Sequence, residues 1–197
     1  MKSARLICIM GAESTGKTTL AQALARHFAC PWVPEYLRQF CQRHGRTPTR
    51  EEQALVLAQQ RSAELEAQAR AAQQGSGLVF CDTAPLLTAI YSELVFGDTS
   101  LHAQARTLHL NYALTLLLAP DIAWIADGLQ RDGEHVRAPV TRMIDQELAR
   151  LPLPVARISG QGPQRLAAAL AAVRRLQSGQ PEGGKWGAGA GGPRSPQ

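Results

Sequence analysis

Gly11-Ala12-Glu13-Ser14-Thr15-Gly16-Lys17-Thr18 satisfies the spacing G-x-x-x-x-G-K-[ST] at every position, and it begins where the apolar run Leu6 to Met10 stops. These residue types at this spacing suit one task, gripping a chain of phosphates. Gly11 and Gly16 let the backbone turn so that successive N–H groups point at one anion, and the dipole of the following helix adds positive potential. Lys17 is then placed to meet the β- and γ-phosphates and Thr18 to hold Mg²⁺, with Glu13, Ser14, Thr15 and Thr19 completing the expected nucleotide contacts. The flanks agree. Arg5 to Met10 is a short apolar β run, and Thr18 to Phe28 places Leu20, Ala23, Leu24 and Phe28 on one helical face. The loop predicts binding of ATP with Mg²⁺.

A phosphate loop is shared by kinases, switches and motors, so the residues at the other strand ends must decide. Ligands in parallel sheets collect at the carboxyl ends of the strands, and Glu35, Asp82 and Asp121 lie near three such ends. Asp82 closes Leu78-Val79-Phe80-Cys81-Asp82, from where an aspartate reaches Mg²⁺ beside Thr18. It also suits the N-cap of a helix opened by Pro85. Glu35 follows Trp32-Val33-Pro34. There it can accept the proton of an attacking hydroxyl, with Arg38 on the same helical face to hold a phosphate or tune the carboxylate. As a first-turn acid it would also simply open a helix.

The polar segment Trp124 to Arg137, with Gly128 and Gly133, reads as a lid able to bring Arg131 or Arg137 to the transferring phosphoryl group, or else as a solvated surface loop. Tyr36, Tyr91 and Trp124 are candidates to stack on a planar base, and each also suits core packing. His135 has no second ligand at metal spacing and is given no role. The Gly160-Gln161-Gly162 turn is placed to pack near a nucleotide base.

The elements that must hold these groups follow from the pattern of apolar runs. Leu6 to Met10, Trp32 to Val33, Leu78 to Cys81, Leu114 to Leu118 and Val155 to Ile158 alternate with helical segments, which predicts a three-layer α/β fold with a parallel sheet. The longest helix is expected over Arg50 to Gln74, capped by Thr49 with Glu52 and ended by Gly75, with Leu55, Ala58, Leu65 and Ala69 as its buried stripe. Pro85 and Pro139 are expected to start helices over Leu86 to Phe96 and Val140 to Arg150.

At 197 residues the chain is expected to form one domain over residues 1–177. Ser178 to Gln197 is rich in Gly and Pro, too poor in apolar side chains to offset the entropy of ordering, and expected to be a disordered tail. The net charge of +5 is spread without a basic block, and aromatics make up 5% of the chain, so no nucleic-acid partner is expected. Cys8, Cys30, Cys41 and Cys81 form no C-x-x-C pair and read as reduced core residues. With no signal peptide and no membrane-length apolar run, no membrane association is expected and the location is expected to be cytoplasmic. Whether copies of the chain form a homo-oligomer is left open.

Taken together, Gly11 to Thr19, Val33-Pro34-Glu35-Tyr36 with Arg38, Cys81-Asp82-Thr83, Phe96-Gly97 and Trp124-Ile125-Ala126-Asp127-Gly128 resemble the ribosylnicotinamide kinase domain of NadR-type bacterial proteins, over about Arg5 to Val173. The resemblance implies a P-loop NTPase of the nucleoside- and nucleotide-kinase kind among the AAA-family ATPases. It implies transfer from ATP to the 5′-hydroxyl of nicotinamide riboside, giving nicotinamide mononucleotide, and a place for Asp127 in the substrate site. NadR-type proteins usually carry this kinase behind an adenylyltransferase domain, whereas here the sequence begins at the kinase strand. An acidic residue often follows the family's Asp-Thr pair, where this chain has Ala84. Two other readings stay open: a kinase of another nucleoside or small hydroxyl compound, and an ATP-binding regulatory switch. The base-reading Asn-Lys-x-Asp of GTP-binding proteins is absent.

Overall fold

Uninterrupted apolar runs fold as strands covered on both sides, because both faces of the pleat must then leave water. The computed structural model describes residues 3–124 and 134–179. Among the described residues, five strands form one parallel sheet: β1 (Arg5–Met10), β2 (Trp32–Val33), β3 (Leu78–Asp82), β4 (Tyr112–Leu118) and β5 (Val155–Ile158), in the order β2-β3-β1-β4-β5. The helices are α1 (Lys17–His27), α2 (Tyr36–His44), α3 (Gln53–Gln73), α4 (Pro85–Phe96), α5 (His102–His109), α6 (Arg137–Ala149) and α7 (Gly162–Ser178). This is the three-layer parallel α/β architecture expected from the sequence, with β4 beginning at Tyr112 rather than Leu114.

Alternate residues of β1 serve opposite layers. Ile7 and Ile9, with Phe80, Leu114 and Leu116, pack under Leu20 and Leu24 of α1 and Ala169 and Val173 of α7. Leu6, Cys8 and Met10, with Val79 and Cys81, pack under Leu57 of α3, Leu86 and Ile90 of α4, and Val140 and Ile144 of α6. Each large aliphatic or aromatic side chain so buried stabilises the fold by about 1.5–3 kcal/mol. On α1 the buried face is Leu20, Ala21, Leu24 and Ala25, while Ala23 and Phe28 are half-buried.

The expected face of α3 is a correction. Leu55 and Leu65 are 47% and 49% exposed, and Ala58 and Ala69 are exposed as well. The inward face instead carries Val56, Leu57, Gln60, Glu64, Ala67 and Ala71. Polar side chains on that face, Gln53, Gln60 and Glu64, break its apolar periodicity, and the last two have tertiary partners. Gln60 Oε1 accepts the Tyr36 N–H at 2.8 Å. Glu64 accepts the Tyr112 hydroxyl at 2.5 Å and an Arg61 N–H at 3.3 Å. Burial pushes the Glu64 carboxyl above its usual range, and these bonds oppose the rise. The expected cap is half formed: Glu52 Oε2 accepts the Thr49 N–H at 2.8 Å, but the chain stays in a turn until Gln53.

Pro85 opens α4 as expected, whereas α6 begins at Arg137, ahead of Pro139. Cys8, Cys41 and Cys81 are buried and Cys30 partly so; burial raises the Cys30 thiol to about 11. Helix α7 runs to Ser178, past the expected limit of Gln177, and residues 180–197 lie outside the described ones. Among the described residues no helix is long and apolar enough to cross a membrane.

Candidate functional site

Strand order reverses at β1, which lies between β3 and β4, and Gly11 to Thr18 runs from its end into α1 at that switch point. Gly11 is needed for room: a Cβ there would meet Thr15 Oγ1 at 2.8 Å and the Leu118 carbonyl oxygen at 3.1 Å. Gly16 is needed for its backbone, with φ at +80°, where side-chain-bearing residues are strained. Lys17 Nζ donates to the carbonyls of Gly11 and Ala12, both at 3.1 Å, and Thr15 Oγ1 donates to the Ala12 carbonyl at 2.8 Å. Carbonyls engaged in this way leave the loop amides to face an anion.

Asp82, at the end of β3, is 1% exposed. Its Oδ2 accepts the Thr18 hydroxyl at 2.6 Å, while the buried Oδ1 has no hydrogen-bond partner among the described residues. Burial raises the carboxyl's pKa, and Lys17, the Thr18 bond and Arg38 pull it back. The next residue, Thr83, holds φ at 75°, a costly conformation for a β-branched side chain, and turns the chain towards α4. A buried carboxylate with an unused oxygen behind a loop hydroxyl is a donor set that fits Mg²⁺. Among the described residues no group of three or more His, Cys, Asp or Glu could hold a metal ion, so an ion here would need phosphate and water oxygens as well.

A cavity of about 600 Å³ opens beside the loop. Glu13 to Thr19 form one wall, Glu35 and Arg38 a second, and Leu87, Tyr91, Val95 and Phe96 of α4 an apolar third. Tyr91 donates its hydroxyl to Glu13 Oε1 at 3.2 Å, so the Glu13 side chain turns towards α4. Glu35 is the extended residue ahead of α2, which sets it and Arg38 within the first turn facing the cavity.

The structure therefore brings together Lys17, Thr18, Asp82, Glu35, Arg38 and Tyr91. It separates two others from them, since neither Tyr36 nor Trp124 lines the cavity. Arg137, expected on a lid, is the first residue of α6 and its Nη2 donates to the Ser14 carbonyl at 3.4 Å. Asp127 and Arg131 lie outside the described residues, and His135 is exposed. Asp121 is committed to structure: its carboxylate accepts the Gly160 N–H at 2.7 Å and pairs with Arg165. The apolar wall of α4 was missed because Leu87 and Val95 read in sequence as ordinary helix residues, and Phe96 was singled out only within the Phe96-Gly97 resemblance. Arg165 was missed because a single arginine on a helix carries no signal of its own.

The model of the AAA domain family AAA_28 matches residues 6–165. The chain belongs to this AAA family. Among solved structures, a NadR protein in complex with NR is similar over 89% of this chain at 26% identity and TM-score 0.76. A NadR protein with NAD and AMP-PNP is similar over 89% at 24% identity and TM-score 0.73. The chain spans about half the length of these, 52% and 50% respectively. Thymidylate kinase from Ehrlichia chaffeensis, at 16% identity, is covered over its full length with a TM-score of 0.61, matching 89% of this chain. Deoxyadenosine kinase from M. mycoides, at 12% identity, is covered over 99% with a TM-score of 0.58, matching 88% of this chain. The comparison with curated proteins gave no match. The AAA member therefore has the nucleoside- and nucleotide-kinase-like P-loop NTPase fold, and the resemblance to NadR-type proteins extends from motifs to tertiary structure.

Proposed function

We propose that this protein is an ATP-dependent kinase that phosphorylates the 5′-hydroxyl of nicotinamide riboside, giving nicotinamide mononucleotide. The observation that carries the reading is the cavity shared by the phosphate loop, Glu35 and the α4 wall, which supports a donor site and an acceptor site side by side. The fold likeness to NadR supports the acceptor, as does the lining. Tyr91, Val95 and Phe96 offer apolar surface to a planar ring, and the carboxylates of Glu13 and Glu35 suit the positive charge of a pyridinium nucleoside.

Each residue then has a task. Lys17 and the loop amides bind the β- and γ-phosphates and draw off the charge that develops on transfer. Thr18 offers its oxygen to Mg²⁺, with Asp82 supporting that hydroxyl from behind; the bound ion would neutralise phosphate charge. Glu35 orients the attacking hydroxyl and accepts its proton, while Arg38, facing Asp82 and the cavity, stabilises the transferred phosphoryl group. Arg137 acts from the loop side. Arg131 and Asp127 belong to the segment between Trp124 and Glu134 and are proposed as lid and substrate residues on sequence alone.

The test is a panel of nucleosides with Mg·ATP, following ADP release and product mass, with Lys17→Ala as the folded control that loses turnover. Nicotinamide mononucleotide as the main product supports the reading. Turnover of another nucleoside with none of nicotinamide riboside moves the substrate and keeps the kinase. ATP binding with no acceptor-stimulated ADP release would replace the kinase by a regulatory switch.

A further inference from the structure

The phosphate loop is braced by a side chain that does not line the cavity. Arg165, in the first turn of α7, is only 5% exposed, and its guanidinium donates in three directions. Nε meets the Gly160 carbonyl at 2.7 Å, Nη1 meets the Thr15 carbonyl, and Nη2 meets the Ala119 carbonyl at 3.1 Å as well as the Asp121 carboxylate. One side chain thus ties the loops after β4 and β5 to the phosphate loop. Lysine, with its compact ammonium on a flexible stem, cannot span these acceptors, whereas the rigid guanidinium fork can.

We propose that Arg165 is a positioning residue for phosphate binding, acting through the peptide between Thr15 and Gly16. A trans peptide points its carbonyl and its N–H in opposite directions. Holding the Thr15 carbonyl against α7 therefore turns the Gly16 N–H the other way, towards the anion. Arg137 does the same to the next peptide back, since its bond to the Ser14 carbonyl fixes the Thr15 N–H. The Lys17 bonds to the Gly11 and Ala12 carbonyls compete with phosphate for the same ammonium, but Arg165 does not line the cavity and keeps its bonds when the site fills. Asp121 balances the buried charge and, through the Gly160 N–H, fixes the turn that Arg165 leans on. The inference deepens the proposed function and rests on the reading that the loop binds a nucleoside triphosphate.

The experiment compares wild type, Arg165→Met and Arg165→Lys by ATP titration calorimetry, steady-state KM values for ATP and acceptor, and the NMR resonance of the Gly16 amide. Arg157→Met, which removes an exposed ion pair with Asp145, is the control. Hydrogen bonds from a charged donor are strong enough that Arg165→Met should lose about ten- to a hundredfold in ATP affinity. The acceptor KM should hold and the Gly16 resonance should move, with partial recovery in Arg165→Lys. Wild-type ATP affinity and an unmoved Gly16 resonance in a folded Arg165→Met overturn the proposal, as does an equal loss for ATP and acceptor. If Arg165→Met does not fold, Arg165→Lys decides alone, because it reaches fewer carbonyls: a weaker ATP affinity with a shifted Gly16 amide supports the role, and no change overturns it. If wild type itself fails to bind ATP, the proposed function falls, while the Gly16 resonance still reports whether Arg165 sets that peptide.

Discussion

The Thr18 hydroxyl stands 2.6 Å from Oδ2 of Asp82, joining the start of α1 to the end of β3 across 64 residues of sequence. Asp82 does not line the cavity, so the role towards Mg²⁺ proposed for it would run through Thr18 or a water. Asp82→Asn keeps an oxygen for the Thr18 hydroxyl and loses the charge. The expected result is a fall of about 10- to 100-fold in kcat at ordinary Mg²⁺, partly recovered as Mg²⁺ is raised. A defect that ignores Mg²⁺ concentration would count against a metal role.

Glu35, just ahead of α2, lines the same cavity and is the carboxylate proposed as the base. Glu35→Gln preserves size and one acceptor oxygen but removes the proton acceptor. Activity should fall about 10²- to 10⁴-fold in kcat, with ATP affinity by calorimetry unchanged and no recovery from added Mg²⁺. Retention of wild-type kcat would exclude Glu35 as the base.

His109 gives the fold a pH dependence. It is fully buried, with Nε2 3.0 Å from Thr115 Oγ1 and its ring against Tyr112, and burial lowers its pKa from 6.5 to about 4. The unfolded chain takes up this proton below about 6.5 and the folded chain resists until about 4, so stability is lost as pH falls through that window. The gap is worth about 3 kcal/mol by pH 4 and nothing above neutrality. Melting curves between pH 7.5 and 4 should show a shallower decline for His109→Gln than for wild type, and parallel curves would refute the assignment.

The segment after α7 has no apolar pattern to bury and is proposed to be dispensable. A chain ending at Gly179 should keep the Tm and the rate of the full chain. A drop in either would mean that residues 180–197 pack or assemble.

The phosphate loop was legible in the sequence because its chemistry is local: consecutive residues supply the glycines, the lysine and the hydroxyl, and backbone geometry follows from them. The strands were legible for a related reason, since burial on both faces demands uninterrupted apolar runs. Asp82 could be placed at a strand end from the sequence, but its position behind Thr18 depends on how β3 sits against β1. The inward face of α3 was hidden because Gln60 and Glu64 are stabilised there by Tyr36 and Tyr112, partners supplied by other elements. Tyr91 was separated from Tyr36 and Trp124 only by which side chains line the cavity. Arg165 meets Thr15 across 150 residues, and no periodicity records such a contact. What the sequence determined by itself was therefore the fold class and the phosphate-binding loop, where neighbours in the chain do the work. Tertiary packing decided the rest, because a buried polar group is tolerated only where another part of the chain brings it a partner.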